Sequence, residues 1–189
     1  MEIFSALRKS ATDFVKKHFW YTFLALILLA GFLVLGNAIV ILALIVLTVI
    51  SKIVEVFLPR AADFDLSLFT LVVLQQAYGF SLAFVITLIS FFIGLAFKGK
   101  LQHRIAGENL IFPPIGFLVA GLLISFLNFD LFTTGMIAVL AYASLMVLLY
   151  GILYHFPIFE IVIYLATIFP FNYFIFLNFA NPVLQFLIT

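Results

Sequence analysis

Glu160 is the one acidic residue that falls inside an apolar stretch of the sequence, and His155 precedes it by five positions. An ionisable group inside a membrane segment is by default a candidate for function. An imidazole beside a carboxylate can also exchange protons near neutral pH. Pro157 lies between the two and predicts a turn, which would place Glu160 in a first helical turn, where a carboxylate is favoured for electrostatic reasons alone. The pair indicates either intramembrane proton chemistry or an ordinary helix start, and the spacing favours the helix start.

Neutral polar side chains also interrupt the apolar stretches. Gln75 and Gln76 are adjacent in one of them, and Asn172 lies in the last. Such groups can line a path for a solute, or they can form hydrogen bonds between packed helices. The sequence leaves both interpretations open.

Asp63 and Asp65 form an Asp-x-Asp motif whose oxygens would suit a hard cation. Two carboxylates are few for such a site, so a solvated link is the favoured interpretation. His155 and Glu160 likewise fall short of the three protein ligands of a catalytic zinc. There is no P-loop, nucleophile elbow or His-Glu-x-x-His motif. We therefore predict no catalytic residues, no metal and no cofactor.

The composition sets the class of protein. Of the 189 residues, 67% are hydrophobic and 9% are charged, whereas soluble domains are about 45–50% apolar and about 25% charged. The sequence therefore predicts an all-α, polytopic transmembrane helix bundle forming a single domain. A formal net charge of +1 excludes the basic surface that nucleic acid requires, and without cysteine there are no disulfides.

Two uncharged runs, 19–50 and 66–97, each contain 32 residues. A helix of that length measures about 48 Å, against about 30 Å of hydrocarbon. Each run is either one long helix or a hairpin, with Gly36-Asn37 the candidate turn in the first. Because Lys and Arg favour cytoplasmic loops, single crossings would place the amino terminus and the basic loop 98–109 in the cytoplasm and the acidic loop 51–65 outside. We prefer single crossings, with two hairpins as the rival.

Three shorter spans are predicted after the central loop, at about 111–127, 131–154 and 158–179. Pro113-Pro114 indicates a helix start, and Pro170 is expected to kink the last span. The total is about five spans, within a range of four to seven, with the carboxyl terminus outside. No Lys or Arg falls within any of the expected spans.

Residues 1–18 have the pattern of an amphipathic helix lying in the headgroup layer, and an extension of the first span is the alternative interpretation. Apolar residues recur at three- and four-residue spacing, and the opposite face is basic. Its candidate contacts with lipid headgroups are Arg8, Lys9, Lys16 and Lys17.

Small residues recur at helical spacing in the second and third spans. Where helices pack in lipid, such residues allow close backbone approach, and we expect these faces to pack within the bundle rather than between copies of the chain. The candidate packing residues are Gly79, Ala83, Thr87, Ser90, Gly94, Gly116, Ala120, Gly121 and Ser125.

Two functions compete at this point. The first is a protein that acts by contact, as a scaffold, assembly or accessory subunit, whose partners are the bilayer and other membrane proteins or further copies of itself. The alternative is a transporter or channel subunit for a small solute or ion, because transporters place their sites at discontinuous helices. An intramembrane enzyme using His155 and Glu160 ranks third.

Overall fold

The computed structural model describes residues 36–58, 63–102, 108–153 and 155–188. Regular structure in these ranges is helical, with no strand, which confirms the predicted fold class. Helices long and apolar enough to cross a membrane are Gly36–Val54, Phe80–Lys98, Leu131–Leu153 and Ile158–Ile188. The predicted headgroup residues Arg8, Lys9, Lys16 and Lys17 lie outside the described ranges.

We number the helices in chain order. A short 3-10 turn, Glu55–Phe57, follows the first helix, and a π-helical turn, Leu149–Leu153, follows the fifth. The helices are α1 (Gly36–Val54), α2 (Ser67–Tyr78), α3 (Phe80–Gln102), α4 (Glu108–Ser125), α5 (Leu131–Leu148) and α6 (Ile158–Ile188).

The segment 66–97 is a helical hairpin, so the preferred single helix is wrong for this run. Gly79 separates α2 from α3 and has φ +85°, a conformation that glycine adopts at little steric cost. Beyond it the chain reverses, and both Asp65 and Gly94 lie against Lys52. Residues 51–65 and the start of the loop 98–109 therefore share one end of the bundle, not the opposite sides that single crossings require.

The bundle has two ends, which we name here. The ionic end is formed by the carboxyl ends of α1 and α3 with the first turns of α4 and α6, and the far end by the tip between α2 and α3 with the carboxyl end of α6. Tyr78 marks the far end, because its hydroxyl donates to the Leu187 carbonyl at 3.1 Å. The 12-residue α2 is only about 18 Å long, so it starts well inside the bundle.

Glycines let α4, α5 and α6 approach closely, because bulky rings of the neighbouring helices occupy the space that a Cβ would fill. A Cβ built on Gly116 would lie 2.6 Å from the Tyr142 ring, and one on Gly135 would lie 2.4 Å from the Phe176 ring. The Phe117 and Tyr142 rings stack beside the first of these contacts. The core of the bundle is thus aromatic packing against small residues.

Two predicted boundaries differ from those observed. Helix α4 begins at Glu108, so Pro113 and Pro114 lie inside it rather than at its start. Helix α6 continues to Ile188, past the predicted end at 179, with Pro170 and Pro182 inside it. A span that accommodates proline needs only a local loss of backbone hydrogen bonds, which neighbouring groups can replace.

Candidate functional site

Four charged side chains are joined in one buried network at the end of α1. The Lys52 ammonium lies 2.8 Å from Glu55 Oε1 and 2.9 Å from Asp65 Oδ2. The Lys98 ammonium reaches the other oxygen of Glu55 at 2.8 Å. The Lys52 Nζ also lies 5.2 Å from the centre of the Phe91 ring, a distance at which an aromatic face attracts a cation. We call these four residues, Lys52, Glu55, Asp65 and Lys98, together with the nearby Asp63, the charge cluster.

The serines beside Asp65 fix the start of α2. Asp65 Oδ1 accepts hydrogen bonds from the Ser67 backbone N–H at 2.9 Å and from the Ser67 hydroxyl at 2.7 Å. The Ser51 hydroxyl donates to the Thr48 carbonyl at 2.8 Å and accepts from the Leu66 N–H at 3.1 Å. A carboxylate at the first turn of a helix is electrostatically favourable. The same residue therefore caps α2 and neutralises Lys52.

Asp63 belongs to the charge cluster but forms no ion pair among the described residues. Its Oδ1 accepts the Asp65 N–H at 3.0 Å, and its own N–H donates to the Thr167 hydroxyl at 3.1 Å. Burial raises the pKa of Asp63 to about 7; Lys52 opposes this rise, and the negative charge of Glu55 adds to it. Asp63 is thus the carboxyl group of the cluster that can change protonation near neutral pH.

The charge cluster is buried at the carboxyl ends of two candidate spans, because Lys52 lies in the last turn of Gly36–Val54 and Lys98 is the last residue of Phe80–Lys98, while α3 and α6 extend beyond it. Gly94, which contacts Lys52, is eight residues before the end of α3 at Gln102, or about 12 Å along the helix axis. Thr167, which contacts Asp63, is nine residues after the start of α6 at Ile158, or about 14 Å. Side-chain exposure is only 9% for Lys52 and 7% for Glu55. This position inside a helical membrane bundle is costly unless the charges are paired.

Helix α6 carries a polar face that leads from the ionic end towards Asp63. Glu160, Tyr164 and Thr167 are spaced four and three residues apart, so they share one side of the helix. The Glu160 Oε2 and Tyr164 hydroxyl oxygens are buried and have no hydrogen-bond partner among the described residues. Tyr164 also interacts electrostatically with Asp63 and Tyr142. We call Glu160, Tyr164 and Thr167 the α6 polar face.

An apolar cleft of about 390 Å³ lies beside the charge cluster. It is lined by residues of α1, the chain before α2 and α6, including Ser51, Phe64 and Phe171. Phe64 and Phe171 close it with an edge-to-face contact, their ring centres 5.3 Å apart. Only Ser51 offers it a polar side chain. This cleft can accept a hydrocarbon group, but it offers no ligands to a hydrated ion.

The neutral polar residues singled out from the sequence do not meet. The Gln75 amide nitrogen donates to the Gly121 carbonyl at 2.9 Å and to the Ser125 hydroxyl at 2.8 Å. Gln76 is exposed. Asn172 is buried and donates to the Ile168 carbonyl of its own helix. These three residues therefore form no common solute path in the structure.

His155 and Glu160 are also separate in function. His155 is exposed, with φ 50° in the turn before α6, and it forms no hydrogen bond or ion pair with Glu160 in the described structure. The Glu160 backbone N–H donates to the Pro157 carbonyl at 2.9 Å, as expected for a first helical turn. The geometry supplies no His–Glu proton pair, although Glu160 remains on the α6 polar face.

The small residues of α3 and α4 face the interior of the bundle, apart from the hairpin tip and one α4 end. Gly94 packs on Lys52, and Gly121 packs on Phe80. Gly79 and Ser125 are exposed, but Ser125 donates to the Gly121 carbonyl and accepts from Gln75. The buried members are Ala83, Thr87, Ser90, Gly94, Gly116, Ala120 and Gly121.

The charge cluster was not predicted from the sequence. Asp63 and Asp65 were interpreted as a solvated link, and Lys52 and Lys98 were placed outside the spans, yet both lysines lie in helices of the bundle. The available signals were the i, i+3 spacing of Lys52 and Glu55 and the glycine in the middle of the run 66–97. Both are too common to specify a buried site. No group of three or more His, Asp or Glu residues arranged to hold a metal ion occurs in the described ranges.

Comparison with protein-family models, curated proteins and solved structures found no match to this chain. The charge cluster and the loop between α1 and α2 are therefore the features from which a function can be inferred.

Proposed function

We propose that the chain is a membrane transport protein for a small cation, with its site at the charge cluster. One observation carries the proposal: buried charges gather where α1 ends and α2 begins, beside the non-helical residues 63–66. Charged residues at membrane depth are costly and mark ion or substrate pathways. In transport proteins, non-helical backbone and helix ends can contact the substrate, and the link between α1 and α2 offers both.

The charge balance of the cluster supports a cation as the substrate. Its three carboxyl groups face two ammonium groups, so one negative charge is in excess when all five groups are ionised. Lys52, Lys98, Glu55 and Asp65 neutralise one another through the three ion pairs. The excess therefore resides on Asp63, the group that contacts α6 through Thr167.

The basic residues at the ionic end indicate how the chain is oriented in the membrane. All Lys and Arg residues after residue 35 belong to the segments 51–65 and 98–109, which join the bundle at the ionic end. By the preference of basic loops for the cytoplasm, we place the ionic end in the cytoplasm and the far end, with Leu187, outside. Modification of a single cysteine introduced at Gly99 should require a reagent that enters the cytoplasm.

A contact scaffold is the second candidate, and one observation favours it. Lys52, Lys98, Glu55 and Asp65 satisfy one another fully, as the parts of a structural clamp would. In that case the cluster would only hold the hairpin in the bundle. Transport and clamping differ in their dependence on Asp63, which the clamp does not use.

The test is charge movement across a membrane. The purified full chain is reconstituted into liposomes adsorbed on a sensor, and Na⁺, K⁺ and proton concentration steps are applied in turn. We expect a transient current with one of these cations and its loss in Asp63→Asn. The matched control is Asp130→Asn, the same chemical change at an exposed carboxylate of the far end, which should retain the current.

A folded protein without current in all three steps would contradict cation transport and favour the scaffold. Cooperative thermal unfolding of the same preparation establishes that it is folded. An equal loss of current in both variants would show that the effect is not specific to the charge cluster.

A further inference from the structure

We propose that Asp63 binds and releases a proton during this transport, and that protons reach it from the ionic end along the α6 polar face. This inference rests on the proposed function and names its substrate or coupling ion. It depends on the location of Asp63, on its lack of an ion pair among the described residues, and on the unpartnered polar atoms between it and the ionic end.

The surroundings of Asp63 favour a proton over a metal cation. Lys52 of α1 lies in the same cluster and repels cations. The Lys52 and Lys98 ammonium groups already pair with carboxylate oxygens of Glu55 and Asp65, so these oxygens are not available as ligands. A Na⁺ or K⁺ ion would need several oxygen ligands in place of its hydration shell. A proton needs a single carboxylate oxygen.

Charged and titratable groups face Asp63 from each of the neighbouring elements that contact it. Lys52 belongs to α1, Glu55 to the turn after it and Asp65 to the same loop as Asp63. Tyr142 of α5 and Tyr164 of α6 interact electrostatically with Asp63. Lys98 of α3 acts through Glu55. When Asp63 takes up a proton, the formal charge of the cluster changes from −1 to zero, and this makes the bundle interior electrically neutral.

The α6 polar face provides the route. Glu160 lies in the first turn of α6, and its buried Oε2 has no partner. The Tyr164 hydroxyl, also buried and unpartnered, follows one turn further in. Side chains three or four residues apart lie about 5–6 Å from each other on a helix, which a single water molecule can bridge. Among the described residues, the lining of the apolar cleft beside the cluster has no comparable titratable groups.

The proton-transfer steps balance. A hydronium ion at the ionic end gives a proton to the Glu160 carboxylate and becomes water. Through bridging water, Glu160 passes this proton to the Tyr164 hydroxyl and returns to a carboxylate, while Tyr164 gives its own proton to the Asp63 carboxylate. In total, one O–H bond forms on Asp63 and one breaks on hydronium. Thr167 is a positioning residue: its hydroxyl donates to carbonyls of α6 at 3.0 Å and accepts the Asp63 N–H.

Proton binding is tested by infrared difference spectroscopy on the reconstituted full chain, between mildly acidic and mildly alkaline buffer. We expect a carbonyl band of a protonated carboxylic acid that titrates near neutral pH, vanishes in Asp63→Asn and persists in Asp130→Asn. A band that persists in Asp63→Asn would overturn the inference. If the band behaves as expected but the current is absent, proton binding stands and the transport function fails, so the two proposals fail separately.

The route is tested by kinetics. Liposomes containing the protein and a trapped pH-sensitive dye are subjected to a pH jump, and the relaxation rate is measured. Loss of a positioned proton carrier should slow the relaxation about a hundredfold in Tyr164→Phe and in Glu160→Gln, without moving the midpoint of the infrared titration. The control is Tyr173→Phe, at a half-exposed tyrosine of the same helix, which should relax normally.

A relay changes rates and leaves the equilibrium intact, whereas a purely structural role would move both. An unchanged relaxation rate in Tyr164→Phe would overturn the route along α6. A shifted titration midpoint together with early unfolding would assign Tyr164 a structural role and would also overturn it.

Discussion

The two ends of α2 are held by different interactions. At the ionic end, Asp65 caps the helix and forms a buried ion pair with Lys52. At the far end, Gln75 and Tyr78 make neutral hydrogen bonds to backbone or hydroxyl groups of α4 and α6, and the chain turns at Gly79. Buried ions are costly to desolvate and very costly to leave unpaired, whereas neutral bonds between membrane helices average about 0.6 kcal/mol. The ion pairs at the ionic end therefore fix how α2 packs in the bundle, and the neutral hydrogen bonds at the far end add modest stability.

Breaking the ionic end should produce the largest effect. Lys52→Met leaves Glu55 and Asp65 with unpaired oxygens in the bundle, which should lower the free energy of unfolding by about 3–5 kcal/mol. Lys98→Met should cost clearly less, because Glu55 keeps its contact with Lys52. Denaturant unfolding in detergent measures both variants. Equal losses of unfolding free energy in the two variants would show that Lys52 is no more important to the cluster than Lys98.

The pH dependence of stability should be the next largest effect, and it distinguishes Asp63 from the paired carboxylates. Because the pKa of Asp63 rises from 3.8 unfolded to about 7 in the fold, the folded state binds more protons within that window. The free energy of unfolding should therefore decrease as pH rises from about 4 to about 7, and each unit of difference in pKa corresponds to about 1.4 kcal/mol.

Asp63→Asn should remove that decrease, so the variant gains stability over the native protein as the pH rises to neutrality. Thermal unfolding at several pH values measures this difference. Asp130→Asn should show no such gain, because hydrogen bonds from Thr133 hold the pKa of Asp130 below its usual value. Parallel stability curves for the native chain and Asp63→Asn would contradict the assignment.

A change at the hairpin tip tests the far end through its backbone. Gly79→Ala meets no neighbouring atom within 4 Å, so its cost comes from φ +85° alone. A residue with a Cβ in that conformation costs about 1–3 kcal/mol. The control is Gly36→Ala, which is equally free of neighbours and has no unusual φ. An equally small loss of stability in both variants would mean that the hairpin tip can adopt a turn conformation that does not require glycine.

The smallest effect is expected at the neutral contact of the far end. Gln75→Leu removes the hydrogen bonds to Gly121 and Ser125, and a loss of about 0.6 kcal/mol is typical for such a contact. The Gln75 Oε1 atom is buried without a partner, so its removal offsets part of that loss. A loss as large as that of Lys52→Met would remove the contrast between the two ends.

Prediction from the sequence succeeded where long-range contacts were not needed. Apolar composition and run length predicted a helical membrane bundle, and spans near 131–154 and from 158 correspond to observed helices. The run 66–97 failed, because a hairpin and a long helix have the same apolar content and differ only in the conformation of Gly79. The charge argument then placed residues 51–65 and the loop 98–109 on opposite sides, whereas the ion pair of Glu55 and Lys98 joins them.

The candidate site shows the same limit. The motif Asp63-x-Asp65 was noticed, but its solvation could not be judged without knowing that it contacts α6 a hundred residues later. Gln75, Gln76 and Asn172 were noticed because they are polar in apolar surroundings. In the structure, Gln75 and Asn172 form hydrogen bonds at separate places and Gln76 is exposed. Polar character identifies candidates, and only packing decides which of them meet.

The sequence by itself determined that this chain is a helical membrane protein, because its long uncharged apolar runs can satisfy their backbone within a bilayer by forming helices. It also determined that the charges are few and confined to short segments. The tertiary structure decided that these segments fold into one end of the bundle, where Lys52, Glu55, Asp65 and Lys98 neutralise one another and Asp63 does not join their pairs. The physical reason is that a buried charge is stabilised by partners distant in sequence, and the three-dimensional path of the chain selects those partners.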